Sequence, residues 1–143
     1  MIQIVKDSDT RPWFFLQTAH TTYGIRVMET GHLEHLYYGE RITVDSQDSS
    51  SCAPLVIQRA FAPGNTCTYD REHPQISMED VCLEVGTLGK GDIREPFLEV
   101  RFADGSVTSD FTFDSYEIAR KREKTEENKK KSRMQKLVKP LHP

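Results

Sequence analysis

Three groups of residues in this chain of 143 have the types and spacings that chemistry uses. His32-x-x-His35 sets two imidazoles close together, as metal sites often do. Gly89-Lys90-Gly91-Asp92 puts a lysine between glycines, as loops that cradle phosphate do. The 22 Asp and Glu residues offer carboxylate pairs of the kind that cleave glycosides. Each signal weakens on inspection. Residues three apart on a strand point to opposite faces, and no Cys or acidic cluster completes a metal site around the two histidines. The P-loop spacing is absent, and no amphipathic helix follows Gly91 to offer amide donors. The plainer reading is a tight loop that needs the backbone freedom of glycine, with Asp92 and Arg94 pairing across it and Pro96 setting the entry to the next strand. No spacing selects one carboxylate pair. The sequence therefore calls for no metal and no other cofactor.

The aromatic residues Trp13, Tyr37 and Tyr38 have the shape to stack on sugar rings, although such amphipathic side chains more often serve a core or an interface. Cys52, Cys67 and Cys82 are odd in number and widely spaced, which suits reduced thiols better than a disulfide framework or a zinc motif. No apolar run approaches the roughly 20 residues of a membrane span. Met1 to Arg11 carries Lys6, Asp7, Asp9 and Arg11 without an apolar core, so it does not read as a secretory leader. A cytoplasmic location is the expectation, with no membrane partner.

The elements that must position these groups read as β. Trp13 to Thr18 is short, aromatic and bounded by Pro12. In Thr22 to Glu29, Tyr23, Ile25 and Val27 alternate with Gly24, Arg26 and Met28, the two-residue period of a strand with one buried face. Thr30-Gly31 supplies a turn, Leu33 to Tyr38 forms the return strand, and Gly39 is expected to stop it. Leu98, Val100 and Phe102 alternate with Glu99, Arg101 and Ala103, and Asp104-Gly105 is a strong hairpin signal from which Val107 to Phe113 should return. Tyr116 to Ala119 adds a possible short strand. Between these runs, residues 45–51 read as a mobile loop, Gln58 to Phe61 as a candidate strand, and Met78 to Glu84 as a strand or a turn of helix. Repeated short strands of this kind suggest a sandwich.

Charge divides the chain. From Ala119 to Pro143 there are ten Lys and Arg against three Glu, a net of +7, which leaves nine basic and nineteen acidic residues before it, a net of -10. The step places a boundary near Ile118. Glu126/Lys130 and Glu127/Lys131 are favourable i,i+4 pairs, and Pro140 should end any helix just before it, so residues 119–143 are expected to be a charged tail, partly helical or frayed. Its glutamates, its lack of interleaved aromatics and the acidic head argue against nucleic acid as a partner.

A set of ordered motifs carries more than any single spacing: Phe15-Leu16-Gln17-Thr18, Thr22-Tyr23, Gly31-x-Leu33-x-His35-x-Tyr37-x-Gly39, Arg59-x-Phe61-x-Pro63, Gly89-x-Gly91-Asp92-x-Arg94-x-Pro96 and Ala103-Asp104-Gly105-Ser106, ending near Ser109-Asp110-Phe111 to Glu117-Ile118. Together they resemble the N-terminal domain of the α-galactosidases of glycoside hydrolase family 36. The resemblance implies an all-β, antiparallel β-supersandwich over residues 1–118, with 119–143 leading towards a catalytic (β/α)8 barrel. In that family the barrel removes terminal α-galactosyl residues from raffinose-type sugars with retention, using two aspartates about 5–5.5 Å apart, the nucleophile in a Lys-Trp-Asp motif. Here the one tryptophan, Trp13, follows Pro12, so no catalytic residue is assigned, and the chain alone is expected to be inactive. Where the family has an acidic residue before Arg-x-Phe-x-Pro, on a loop that reaches a neighbouring subunit's active site, this chain has Gln58, whose amide can still hydrogen-bond a sugar hydroxyl. Gln58, Arg59, Asp92 and Arg94 are thus the candidates for substrate or subunit contact. The implied partners are the barrel, further copies in a homo-oligomer and, indirectly, a galactoside. The competing reading is a stand-alone carbohydrate-binding module.

Overall fold

The computed structural model describes residues 1–8, 11–57, 68–92, 95–119 and 138–140. Four antiparallel strands form the main sheet in simple sequence order: β1 (Ile2–Ser8), β2 (Arg11–Gln17), β3 (Thr21–Val27) and β4 (Leu33–Glu40). The all-β, antiparallel class read from the sequence is what the structure shows, and among the described residues helix is limited to two short 3-10 turns, Ser49–Leu55 and Met78–Asp80. Thr18 closes the β2–β3 turn, its Oγ1 accepting from the amides of His20 and Thr21. β1 is an element the charges of Met1 to Arg11 concealed. Its Ile2/Ile4 alternation was the available signal, and in the sheet it pairs with β2 from Ile2↔Leu16 to Ser8↔Arg11.

β2 is buried on both faces, which explains its unbroken aromatic run. Trp13 and Phe15 join Val5, Val44 and Cys52 in the core, with Leu36, Ile42, Leu55 and Val56 packed around them. Phe14 points the other way and meets Tyr116 edge-on at 5.1 Å and Phe113 at 6.0 Å. Double coverage also changes the β3 reading: Val27 is buried as expected, but Thr22 and Gly24 are buried too, while Tyr23 and Ile25 are only half-buried. Gly24 faces Phe15 across the ladder, and a Cβ there would lie 3.0 Å from the ring. The loop read as mobile orders at its second half: Asp48 caps the first 3-10 turn by accepting from the Ser50 amide, and Cys52 enters the core as a thiol whose pKa burial pushes up.

The β3–β4 turn forms as expected, with Gly31 at φ +82°. Its amide donates to Met28 O, and its carbonyl accepts from the Phe113 amide at 2.7 Å, which ties a distant segment to the turn. A side chain at this position adopts a left-handed conformation that costs roughly 1–2 kcal/mol, and its Cβ would stand 3.1 Å from Thr112 Cβ. Gly31→Ala should therefore lower the unfolding free energy by at least that increment, read as a lower urea midpoint at an unchanged slope. An unaltered midpoint would show that the turn is not held in this form. Gly39 does not end β4, which runs on to Glu40.

Elsewhere the sequence reading needs correction. The Asp104-Gly105 turn is present, with Phe102 N donating to Ser106 O at 2.9 Å and Gly105 at φ +88°, but no ladder extends from it. Leu98 instead makes a single parallel bridge to Thr87. Phe97 is 79% exposed, and Phe102 and Leu98 are only partly covered at 39% and 37%, so the flanks are weakly packed, and a weakly supported hairpin is marginal. β7 (Phe111–Phe113) pairs with β8 (Val138–Pro140). Residues 138–140 are extended, so no helix runs up to Pro140; 120–137 lie outside the described residues, as does the strand expected over Gln58 to Phe61. Tyr116 to Ala119 forms no strand. Met78 to Glu84 combines both expected forms, a 3-10 turn and then a run along β4, with His35 N donating to Cys82 O and Glu84 N to Leu33 O.

Candidate functional site

Of the residues singled out for contact, Gln58, Arg59 and Arg94 lie outside the described residues. Asp92 ends β6 (Gly91–Asp92), paired with Leu88 of β5 (Thr87–Leu88). The glycine loop between them takes the tight form expected, with Gly89 at φ +79° and Gly91 at φ +107°. Its lysine is committed elsewhere: Lys90 Nζ lies 4.0 Å from Asp110 Oδ2 and 4.6 Å from the centre of the Tyr69 ring.

Asp110 is the hub of a cluster that the sequence did not reveal. His32, buried beneath the β3–β4 turn, sets its Nε2 2.7 Å from Asp110 Oδ1 and its Nδ1 2.9 Å from the Thr30 hydroxyl. The Tyr69 hydroxyl donates to Asp110 Oδ2 at 3.0 Å. Burial pushes the Asp110 carboxyl up, but His32, Tyr69 and Lys90 together outweigh it and hold the group below the ordinary carboxylate range. Burial and the same carboxylate push Tyr69 up to about 12.

A second cluster lies on the other half of the hairpin. The Tyr23 hydroxyl donates to Glu84 at 2.6 Å, and His35 Nδ1 lies 3.0 Å from the same carboxylate. Burial first, then Glu84, pushes Tyr23 up to about 12. The two histidines of His32-x-x-His35 therefore serve different carboxylates, His32 from the turn and His35 from β4. Both clusters tie remote segments to the hairpin.

The third feature is a cleft of about 340 Å³ at one end of the main sheet. Three cross-strand neighbours build its floor: Trp13 on β2, Arg26 on β3 and Glu34 on β4. Arg26 lies over the Trp13 ring at 5.4 Å and donates its Nε–H to Glu34 Oε2 at 2.6 Å. Asp7 and Arg11, paired at 3.5 Å, stand at one rim. Gln75, which donates to Glu29 at 2.7 Å, and Asp80 stand at the other. Trp13 is thus a core residue with one edge on a cleft, whereas Tyr38 is open to solvent.

Solved structures share this architecture. The alpha-galactosidase from Lactobacillus brevis superposes with a TM-score of 0.63 at 31% identity, covering 79% of this chain and 14% of that one. The galactosidase domain of the alpha-galactosidase-sucrose kinase AgaSK gives 0.60 at 29% identity, covering 80% and 15%. The alpha-galactosidase AgaA from Geobacillus stearothermophilus, at 20% identity and 0.57, matches in fold over 72% of this chain and 13% of that one. The class is therefore an all-β domain of the kind found in alpha-galactosidases. The bifunctional alpha-galactosidase/sucrose kinase AgaSK of Mediterraneibacter gnavus is 36% identical over 107 residues, which are 73% of this chain and 11% of that protein's length. Residues 31–138 match the family model of the glycosyl hydrolase family 36 N-terminal domain, and the chain belongs to that family.

Proposed function

We propose that this chain serves an α-galactosidase as a domain that contributes no catalytic residue, while a (β/α)8 barrel carries the two carboxylates that release terminal α-galactosyl groups with retention. The observation that carries the reading is the family match over residues 31–138 in a chain that spans 11% of its relative's length. The residues themselves support it. His32, Tyr69 and Lys90 are spent on Asp110, and Tyr23 and His35 on Glu84, which fits support better than proton transfer. Phe97, Tyr38, Ile57 and Ile118 are left roughly half or more exposed, and apolar surface of this kind suits burial against a larger body.

On this reading residues 1–118 form the sandwich part and 119–143 lead towards the barrel. Gln58, Arg59, Asp92 and Arg94 reach the mouth of the active site or a neighbouring copy in a homo-oligomer, and the enzyme works in the cytoplasm on raffinose-type galactosides. The test is an assay of the chain alone on a chromogenic α-galactoside. No turnover above the buffer rate is expected, and turnover that persists through purification to constant specific activity would overturn the reading.

A further inference from the structure

We propose that residues 109–116 form a strap that leaves the main sheet as one unit, ahead of the sheet's own unfolding, and that Asp110 is the anchor that holds it. The strap carries β7, whose ladder is made with β8 and not with a strand of the main sheet. Among the described residues, three kinds of contact attach it. Asp110 meets His32 from the β3–β4 turn, Tyr69 from the chain before the second 3-10 turn, and Lys90 from the β5–β6 loop. Asp70 and His73, themselves paired at 2.9 Å, stand behind Tyr69. The Phe113 amide donates to Gly31 O, and Ser109 O accepts from the Thr87 hydroxyl. Phe113 and Tyr116 lie against Phe14 of β2. This last contact is thin, since Phe111 and Phe113 are only half-buried and residues 114–119 are exposed. A segment with little buried apolar surface opens at a lower free energy than a packed core, so the polar anchor decides whether it stays.

Opening changes the surface of the sheet. Phe14 is 8% exposed beneath the strap. Beside it, Ile2, Leu16, Tyr23 and Tyr38 are paired neighbours across all four strands, and Ile2, Leu16 and Tyr38 are already exposed. Release of the strap joins Phe14 to this row and makes one apolar face as wide as the sheet. Acid supplies the trigger. Burial opposes ionisation of Asp110, but His32, Tyr69 and Lys90 hold its carboxyl below the ordinary 3.8. A carboxyl lowered in this way holds the strap above the ordinary value and lets go as pH falls through the lower folded one. The device lies in the packing of the chain and holds whether or not the chain serves an α-galactosidase.

The experiment is native-state hydrogen exchange of the whole chain, read by NMR at rising urea below the unfolding transition. The Phe113 amide should exchange about tenfold or more faster than the slowest amides of the β2–β3 ladder, with a shallower dependence on urea. Asp110→Asn should speed Phe113 exchange about tenfold or more at neutral pH, as expected for weakened bonds to a charged group. When the wild-type chain is acidified, the nuclear Overhauser contacts between the Phe14 and Tyr116 rings should vanish while those between β2 and β3 persist. This acid series decides the matter if the variant does not fold. Exchange of Phe113 at the rate and urea slope of the ladder, or an unchanged Phe113 rate in folded Asp110→Asn, would overturn the strap. So would a Phe14–Tyr116 contact that survives the whole acid range or is lost only together with the sheet.

Discussion

Phe15→Ala will lower the unfolding free energy by about 3–5 kcal/mol, the cost of removing a buried aromatic ring and leaving its cavity. Phe15 is 0% exposed, and no other fully buried side chain among the described residues is larger. It packs with Val5, Trp13, Val44 and Cys52 and lies over Gly24 of the neighbouring strand, where a Cβ would crowd it. Since domains hold only about 5–15 kcal/mol in total, the variant should lose much of its margin. The neighbouring Leu16→Ala, at a position 42% exposed, should cost well under half as much. The contrast reads the register of the sheet, because a slip by one residue exchanges the two faces. Denaturant midpoints of the two variants at equal slope make the comparison. Equal losses at both positions would show that β2 does not present Phe15 to this core.

The second large effect is at Asp110. Asp110→Asn removes the charge that His32, Tyr69 and Lys90 converge on. Its amide nitrogen cannot accept from either donor, so at least one strong hydrogen bond is lost. Bonds to a charged group contribute about 1.5–3 kcal/mol each, and a loss of about 2–4 kcal/mol is expected for the pair. The pH profile provides a separate reading. The folded Asp110 carboxyl lies below its ordinary value of 3.8, so its contribution is fully present above that value and disappears as pH falls below it towards the lower folded value. The wild-type chain should therefore lose stability in that acid range more steeply than Asp110→Asn, which has already forfeited this component. Parallel acid profiles from thermal unfolding between neutral and strongly acid pH would contradict the assignment of Asp110 as an ionised hub.

What could be read from the sequence, and what could not, follows the distance over which the physics acts. The turn at Gly31 and the strands around Trp13, Tyr23 and Leu36 declare themselves through local turn chemistry and short β-rich runs. The paired faces are less visible: with both faces of β2 covered and Gly24 placed beneath Phe15, the apolar alternation of β3 pointed correctly to Val27 but missed Thr22 and Gly24. The Asp104-Gly105 signal gave its turn, but a turn cannot supply the packing that Phe97, 79% exposed, lacks among the described residues. The Asp110 cluster spans 78 positions between Asp110 and His32, and no periodicity encodes a contact of that range. Arg26 and Glu34 could have been flagged as charged residues on inward positions of strands, a pattern that calls for a paired site. The motif set from Phe15 to Ile118 was the signal that reached furthest, since it pointed to the family while the local chemistry of the residues pointed to no reaction.

The central claim is that this chain completes an α-galactosidase without performing its chemistry. The most direct measurement is the rate of α-galactoside hydrolysis by the Lactobacillus brevis enzyme after its matching stretch, 14% of that protein, is replaced by this chain, set against the same enzyme with the stretch deleted. The account predicts that the deleted form is inactive or nearly so, and that the chimera recovers hydrolysis while this chain alone has none. A folded chimera as inactive as the deleted form, or hydrolysis by this chain alone, would contradict it.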